Sequence, residues 1–200
     1  MRRYLSIGAL VCSVVAVTAH ACLWDRDTLA AEARGLPGIT EVITGRFDRF
    51  PAFFYEMRLE RVAAEVEAEP DNLDLYDDAG VACDRLGRSD EAIDWMGRKL
   101  SVLERLESEG VDVSEHRYRY LANLGTFHIH RWVKGGEDRE DMGDVERARE
   151  LIAAAIELNP EAHFGRERYL LLALEWILDP PTGEDVGRTF LHTIPGYSRY

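Results

Sequence analysis

The stretch Leu73-Asp-Leu-Tyr-Asp-Asp-Ala-Gly-Val-Ala-Cys-Asp-Arg-Leu-Gly-Arg-Ser-Asp-Glu-Ala-Ile-Asp-Trp-Met-Gly-Arg-Lys-Leu-Ser-Val-Leu103 holds the pattern from which the fold follows. Tyr76, Ala79, Gly80, Cys83, Gly87, Ala92 and Met96 fall at the spacings of two short antiparallel helices. Asp71 or Asn72 caps the first, Leu73–Leu86, and Gly87 closes it. Ser89 or Asp90 caps the second, Glu91–Glu107. Such a hairpin cannot bury its apolar faces alone, so it predicts further helices stacked on it.

Those neighbours are legible on both sides. Pro51, where a missing N–H costs nothing, opens a helix over Ala52–Ala68 that ends before Pro70. Ser114 caps an aromatic-rich helix, Glu115–Val133, and Lys134–Met142 reads as an exposed loop. Asp144 caps Val145–Leu158, Asn159-Pro160 stops it, and Phe164–Leu178 forms a last strong helix. Residues 179–200 read as an irregular tail. Before the domain, residues 22–50 are an irregular to helical segment. Asp25–Arg34 begins a helix capped by Asp25 or Asp27, Leu36-Pro-Gly breaks it, and Ile39–Phe47 is taken as helical for want of a strand partner.

The first 21 residues read differently. Met1-Arg-Arg-Tyr is basic, Leu5–Thr18 is apolar, and Ala19-His20-Ala21 has the form of a signal-peptidase site, which together describe a secretory signal peptide. The apolar run of about 14 residues is short of the ~20 that span a bilayer. Cleavage there leaves Cys22 first, a position at which lipid acylation would anchor the protein to a membrane. Soluble export to a periplasmic or extracellular space and a lipoprotein anchor both stay open. So do a Cys22–Cys83 disulfide and a buried Cys83 thiol.

The formal charge is −13; loss of Arg2 and Arg3 leaves 22 basic against 37 acidic residues, a mature chain near −15. A field of that sign repels nucleic acid and anionic membranes and suits a cationic partner.

The hairpin units are similar to tetratricopeptide (TPR) repeats, a 34-residue helix–turn–helix with the pattern aromatic-x₂-Leu-Gly-x₂-Tyr, then Ala-x₃-Phe, then Pro. Tyr76-x₂-Ala79-Gly80-x₂-Cys83 and Ala92-x₃-Met96 match it. A second copy runs Leu121-x₂-Leu124-Gly125-x₂-His128, then Ala148-x₃-Ile152, Ala155 and Pro160. Its halves lie about eleven residues too far apart, which the loop at 134–142 absorbs. Lys99 departs from the pattern by replacing its usual Ala, and no Pro follows the first unit. The best units are residues 73–107 and 115–160, within a repeat domain over 51–178 whose capping helix is 164–178. The resemblance implies an all-α fold, a short α-solenoid of stacked helix–turn–helix hairpins. Stretches such as Cys22-Leu-Trp-Asp-Arg-Asp-Thr-Leu and His163-Phe-Gly-Arg-Glu-Arg-Tyr also resemble parts of exported bacterial TPR-containing proteins, a likeness that brings no activity with it.

Chemistry is sparse by contrast. His128-x-His130 puts two histidines on different faces of a helix, without the spacing of a zinc motif. Asp74, Asp77, Asp78 and Asp84 lack the loop of a calcium site and read as a solvated helix face. Arg117, Arg119 and Arg131 interleave with Tyr118, Tyr120 and Trp132 as surface arginines between packing aromatics. No phosphate loop, nucleophile elbow or Cys–His signature stands out, so no catalytic residue, metal or cofactor is expected.

The resemblance implies a concave groove lined by the first helix of each unit. By register its candidates are Asp74, Asp77, Val81, Asp84 and Arg85 on the first unit, and Arg119, Ala122, Thr126, Ile129 and His130 on the second. Asp77 and Val81 stand where the family's two-carboxylate clamp has Lys and Asn, so a basic or polar extended segment suits this groove better. The expectation is an exported, non-enzymatic scaffold for protein or peptide partners. The alternative is an accessory subunit of a cell-envelope assembly that packs through its C-terminal helix.

Overall fold

The computed structural model describes residues 23–26 and 50–180. Among them the chain is all-α, without a strand: α1 (Ala52–Ala68), α2 (Leu73–Arg85), α3 (Ser89–Ser108), α4 (Ser114–Lys134), α5 (Gly143–Leu158), a 3₁₀ turn over Ala162–Gly165, and α6 (Arg166–Leu178). The expected signal peptide, Cys22, the Ile39–Phe47 segment and the tail beyond Pro180 lie outside the described residues. No helix among the described residues is long and apolar enough to cross a membrane.

Helix ends fall within about two residues of the sequence expectation, the usual uncertainty of such boundaries, but the caps differ. Asn72 precedes α2, yet its side-chain amide donates to Glu69 at 3.0 Å instead of capping. Ser89 and Ser114 are already inside their helices. The first amides of α4 and α5 are met from two residues upstream: Ser114 N–H donates to Asp112 Oδ1 at 3.0 Å, and Gly143 N–H to Asp141 Oδ1 at 3.3 Å. Short aspartate side chains make this local turn readily. Gly87 closes α2 as expected, at φ +80°, with Arg88 N–H returning to the Cys83 carbonyl.

Each helix packs on the next, and α2 also packs on α4. The pairings fix the directions. Asp71 meets Arg105 and Asp77 meets Lys99, so α2 and α3 run antiparallel. Gly125 lies against Ile152 while Arg131 meets Asp144, so α4 and α5 do too. Between α2 and α4 the contacts are Asp74–Arg119, Asp77–Asn123 and Asp84–His130. Their offsets are 45, 46 and 46 residues, so these two helices are parallel neighbours. The apolar core falls into clusters along the chain: Val62 and Val66 of α1 with Leu75 and Tyr76 of α2, then Met96, Leu103 and Phe127, then Ile152 and Leu174.

With helices on several sides, α2 and α4 are buried along most of their length. This corrects the reading of the α2 aspartates as a solvated face. Asp77, Asp78 and Asp84 are 2%, 0% and 3% exposed, while Asp74 keeps partial exposure. Each buried carboxylate has a cation within reach, the condition under which charge is tolerated inside a protein. Lys99, at the small-residue position of the pattern, is fully buried as the partner of Asp77, 2.6 Å away.

Candidate peptide-binding groove

The parallel α2–α4 pair presents a polar line made by Asp78 and Asp77 on α2 and by Asn123, Arg119 and Tyr118 on α4. Across it lies the chain's own segment Leu23-Trp24-Asp25-Arg26, whose first three residues are 2%, 6% and 9% exposed. The Asn123 amide holds the Trp24 main chain from both sides: Trp24 N–H donates to Oδ1 at 2.7 Å, and Nδ2 donates to the Trp24 carbonyl at 3.0 Å. The second Nδ2 hydrogen goes to Asp77 Oδ1 at 3.0 Å. A carboxylate only accepts, so Asp77 orients the amide that grips the segment.

Three consecutive side chains are then read separately. Trp24 Nε1 donates to the Tyr118 hydroxyl at 3.0 Å, with the rings edge to face at 5.7 Å. That hydroxyl donates onward to Glu167 of α6 at 2.7 Å, and the Arg119 guanidinium stands 5.4 Å from the Trp24 ring. Asp25 pairs with Arg58 of α1 at 3.0 Å, both side chains being buried. Arg26, already helical, donates through its backbone N–H to Asp78 Oδ1 at 3.1 Å and through its guanidinium to Asp78 Oδ2.

Burial sets the electrostatics beneath the segment. It pushes the Asp78 carboxyl above its ordinary value, against the Arg26 amide and guanidinium and the charge of Arg58. It likewise pushes Asp77 up and Lys99 down, each resisted by the other. Farther along, burial works to raise Asp84. The hydrogen bonds and charges of His130 and Lys134, each 2.8 Å away, outweigh it and hold the carboxyl below the usual range.

The register candidates therefore separate. Asp74, Asp77 and Arg119 come together beside the segment. Asp84 and His130 form a second buried cluster with Lys134. Val81, Ala122, Thr126 and Ile129 are buried, Thr126 bonding back to the Ala122 carbonyl, and Arg85 is partly buried. Reading by register missed Asp78, Asn123, Tyr118, Glu167 and the segment itself. The available signal was polarity out of place: Asn123 stands between Ala122 and Leu124 on a helix that should be apolar there.

Asp74, Asp77 and His116 bring ligand-type atoms within 4.8 Å of one another. Cations already occupy that space, with Lys99 2.6 Å from Asp77 and Arg119 2.9 Å from Asp74. Burial, with Lys99 and Arg119 adding, holds His116 below its ordinary value. The arrangement is chemically one of ion pairing, not of metal ligation. Ser89 and Lys134 come within 3.4 Å of each other, but the lysine also donates to the Asp84 carboxylate and carbonyl at 2.8 and 2.9 Å. Comparison with protein-family models, curated proteins and solved structures finds no match to this chain.

Proposed function

We propose that this protein is an exported, TPR-like helical scaffold that binds peptide or protein segments in the α2–α4 groove and performs no chemistry of its own. The repeat reading is supported by register. Tyr76 and Leu121, and Gly80 and Gly125, are each 45 residues apart in the sequence pattern. The parallel contacts between α2 and α4 run at the same 45–46 residue offset, so matching positions of the two units are neighbours. Stacked repeats are built in this way.

The observation that carries peptide binding is the Asn123 amide on both main-chain groups of Trp24. An amide gripping N–H and C=O of one residue recognises a backbone whatever its side chain, and flanking pockets then add specificity. Export and a lipid anchor at Cys22 belong to the same proposal, and mass spectrometry of the mature N-terminus distinguishes acylated from free Cys22.

The test is a random peptide library panned against the full chain carrying Trp24→Ala and Arg26→Ala, which loosens the resident segment. Peptides are expected to be enriched on this variant and lost when Asn123→Ala is added, with helicity by circular dichroism retained in both. Absence of enrichment in a folded variant would overturn the proposal.

A further inference from the structure

We infer that the groove is specific for a tripeptide of the kind tryptophan–acidic–arginine, and that Leu23–Arg26 is a tethered occupant with which a partner's segment of that kind competes. This rests on the peptide-binding reading above and names its ligand class.

Each of the three residues meets a partner on a different helix, and each partner is chemically complementary to it. Tyr118 passes its own proton to Glu167 at 2.7 Å, so its oxygen is left to accept, and it takes the indole N–H of Trp24. A phenylalanine or leucine there would lose that hydrogen bond. Arg58 is 5% exposed and pairs with the carboxylate at the middle position, so its charge favours an acidic residue there. Asp78 is fully buried under the segment and takes both the main-chain N–H and the guanidinium of the third residue. A planar, forked cation suits a carboxylate approached in this way. Arg26 also comes within 3.7 Å of Glu65, so α1 and α2 together select a positive charge. Asn123 adds affinity without selecting sequence, and sets the register by which the three side chains reach their partners.

Covalent attachment keeps the resident segment at an effective concentration on the order of millimolar. A free peptide must compete with it, so its apparent affinity for the intact chain is weakened.

The experiment uses fluorescence anisotropy with a labelled synthetic peptide of residues 21–28 carrying Cys22→Ser, titrated with full chains. The Trp24→Ala/Arg26→Ala chain is expected to bind it at least about tenfold more tightly than the unaltered chain, given the tether. Peptides with Trp24→Ala, Asp25→Lys or Arg26→Ala, and a peptide of reversed order, are each expected to lose about tenfold or more. Adding Asn123→Ala to the receptor should weaken all peptides alike. Equal binding of the reversed peptide overturns the inference, as does equal affinity for loosened and unaltered chains. Should the library yield binders without the tryptophan–acidic–arginine pattern while this peptide fails, the specificity falls and peptide binding stands. Should neither bind, both fall. Size-exclusion chromatography of the unaltered chain is expected to give a monomer. A dimer that Trp24→Ala/Arg26→Ala converts to monomer would overturn the tether in favour of exchange between two copies.

Discussion

The Asp77–Lys99–Asn123 cluster shows how a single buried ion pair joins three helices. Asp77 on α2 accepts from Lys99 on α3 at 2.6 Å and from Asn123 on α4 at 3.0 Å. Removing one partner of such a pair strands the other charge, at a cost of about 3–5 kcal/mol, whereas replacing both by apolar residues is often close to neutral. Lys99→Met should therefore destabilise the chain by about that amount in urea unfolding, and Asp77→Leu/Lys99→Met should recover much of it. A Lys99→Met protein as stable as the unaltered one would contradict this account. Cys83 offers a second residue-scale expectation. It is fully buried, and burial pushes its thiol up to about 11, with Glu91 adding to the shift. In a chain with Cys12→Ser and Cys22→Ser, it should resist a disulfide reagent at pH 8 until denaturant is added; immediate reaction would show the helices open around it. The residue scale was the least legible in the sequence. Cys83 could be read as buried because the position calls for a small apolar residue. Asp77 could not, because its partners lie 22 and 46 residues away and a lone aspartate on a helix reads as solvated.

Elements were the most legible scale, because helix periodicity, Gly87 and the prolines are local signals. The structure shows what the glycines within them lie against. A Cβ placed on Gly80 would meet Met96 Cε at 2.9 Å and the Phe127 ring at 3.1 Å. One on Gly125 would meet Ile152 Cδ1 and Cγ1 at 3.0 Å and Leu151 Cβ at 3.2 Å. The methionine end can swing away, while a Cβ is fixed by its own backbone. Helix propensity favours alanine over glycine by about 1 kcal/mol at either site. Gly80→Ala should thus be near neutral, and Gly125→Ala should destabilise by about 1–2 kcal/mol through overpacking. The order of the two melting temperatures checks this, and Gly125→Ala melting higher than Gly80→Ala would refute it. The caps were misread at this same scale. Serines next to a helix start are common capping choices, yet here aspartates two residues upstream meet the first amides, and spacing alone does not separate the two geometries.

At the scale of the whole molecule, the sequence conveyed an all-α chain of successive packed helices but not the segment that lies across α2 and α4. A four-residue segment has no periodicity, and its partners are spread over α1, α2 and α4. Another ionic network joins α3, α4 and α5. Asp144 of α5 accepts from Arg131 of α4 at 2.6 and 2.8 Å and contacts His128 at 2.8 Å, while Arg131 also reaches Asp90 of α3. The Arg131 hydrogen bonds, helped by His128, hold the Asp144 carboxyl below its ordinary value despite some burial. The folded state thus binds this proton less readily than the unfolded state does. Its contribution is fully present above the unfolded value of about 3.9 and is lost as pH falls through the lower native value. Asp144→Asn should lower stability at pH 7 by about 1–2 kcal/mol, the size of partly exposed hydrogen bonds to a charged group. The gap between the two proteins should stay constant from pH 7 to about 5 and shrink progressively below about pH 4, as the unfolded chain takes up a proton that the folded Asp144 resists. Urea unfolding of both across pH 7 to 3 measures it. A gap that persists undiminished at pH 3 would mean that packing, not the charge of Asp144, ties α5 to α4.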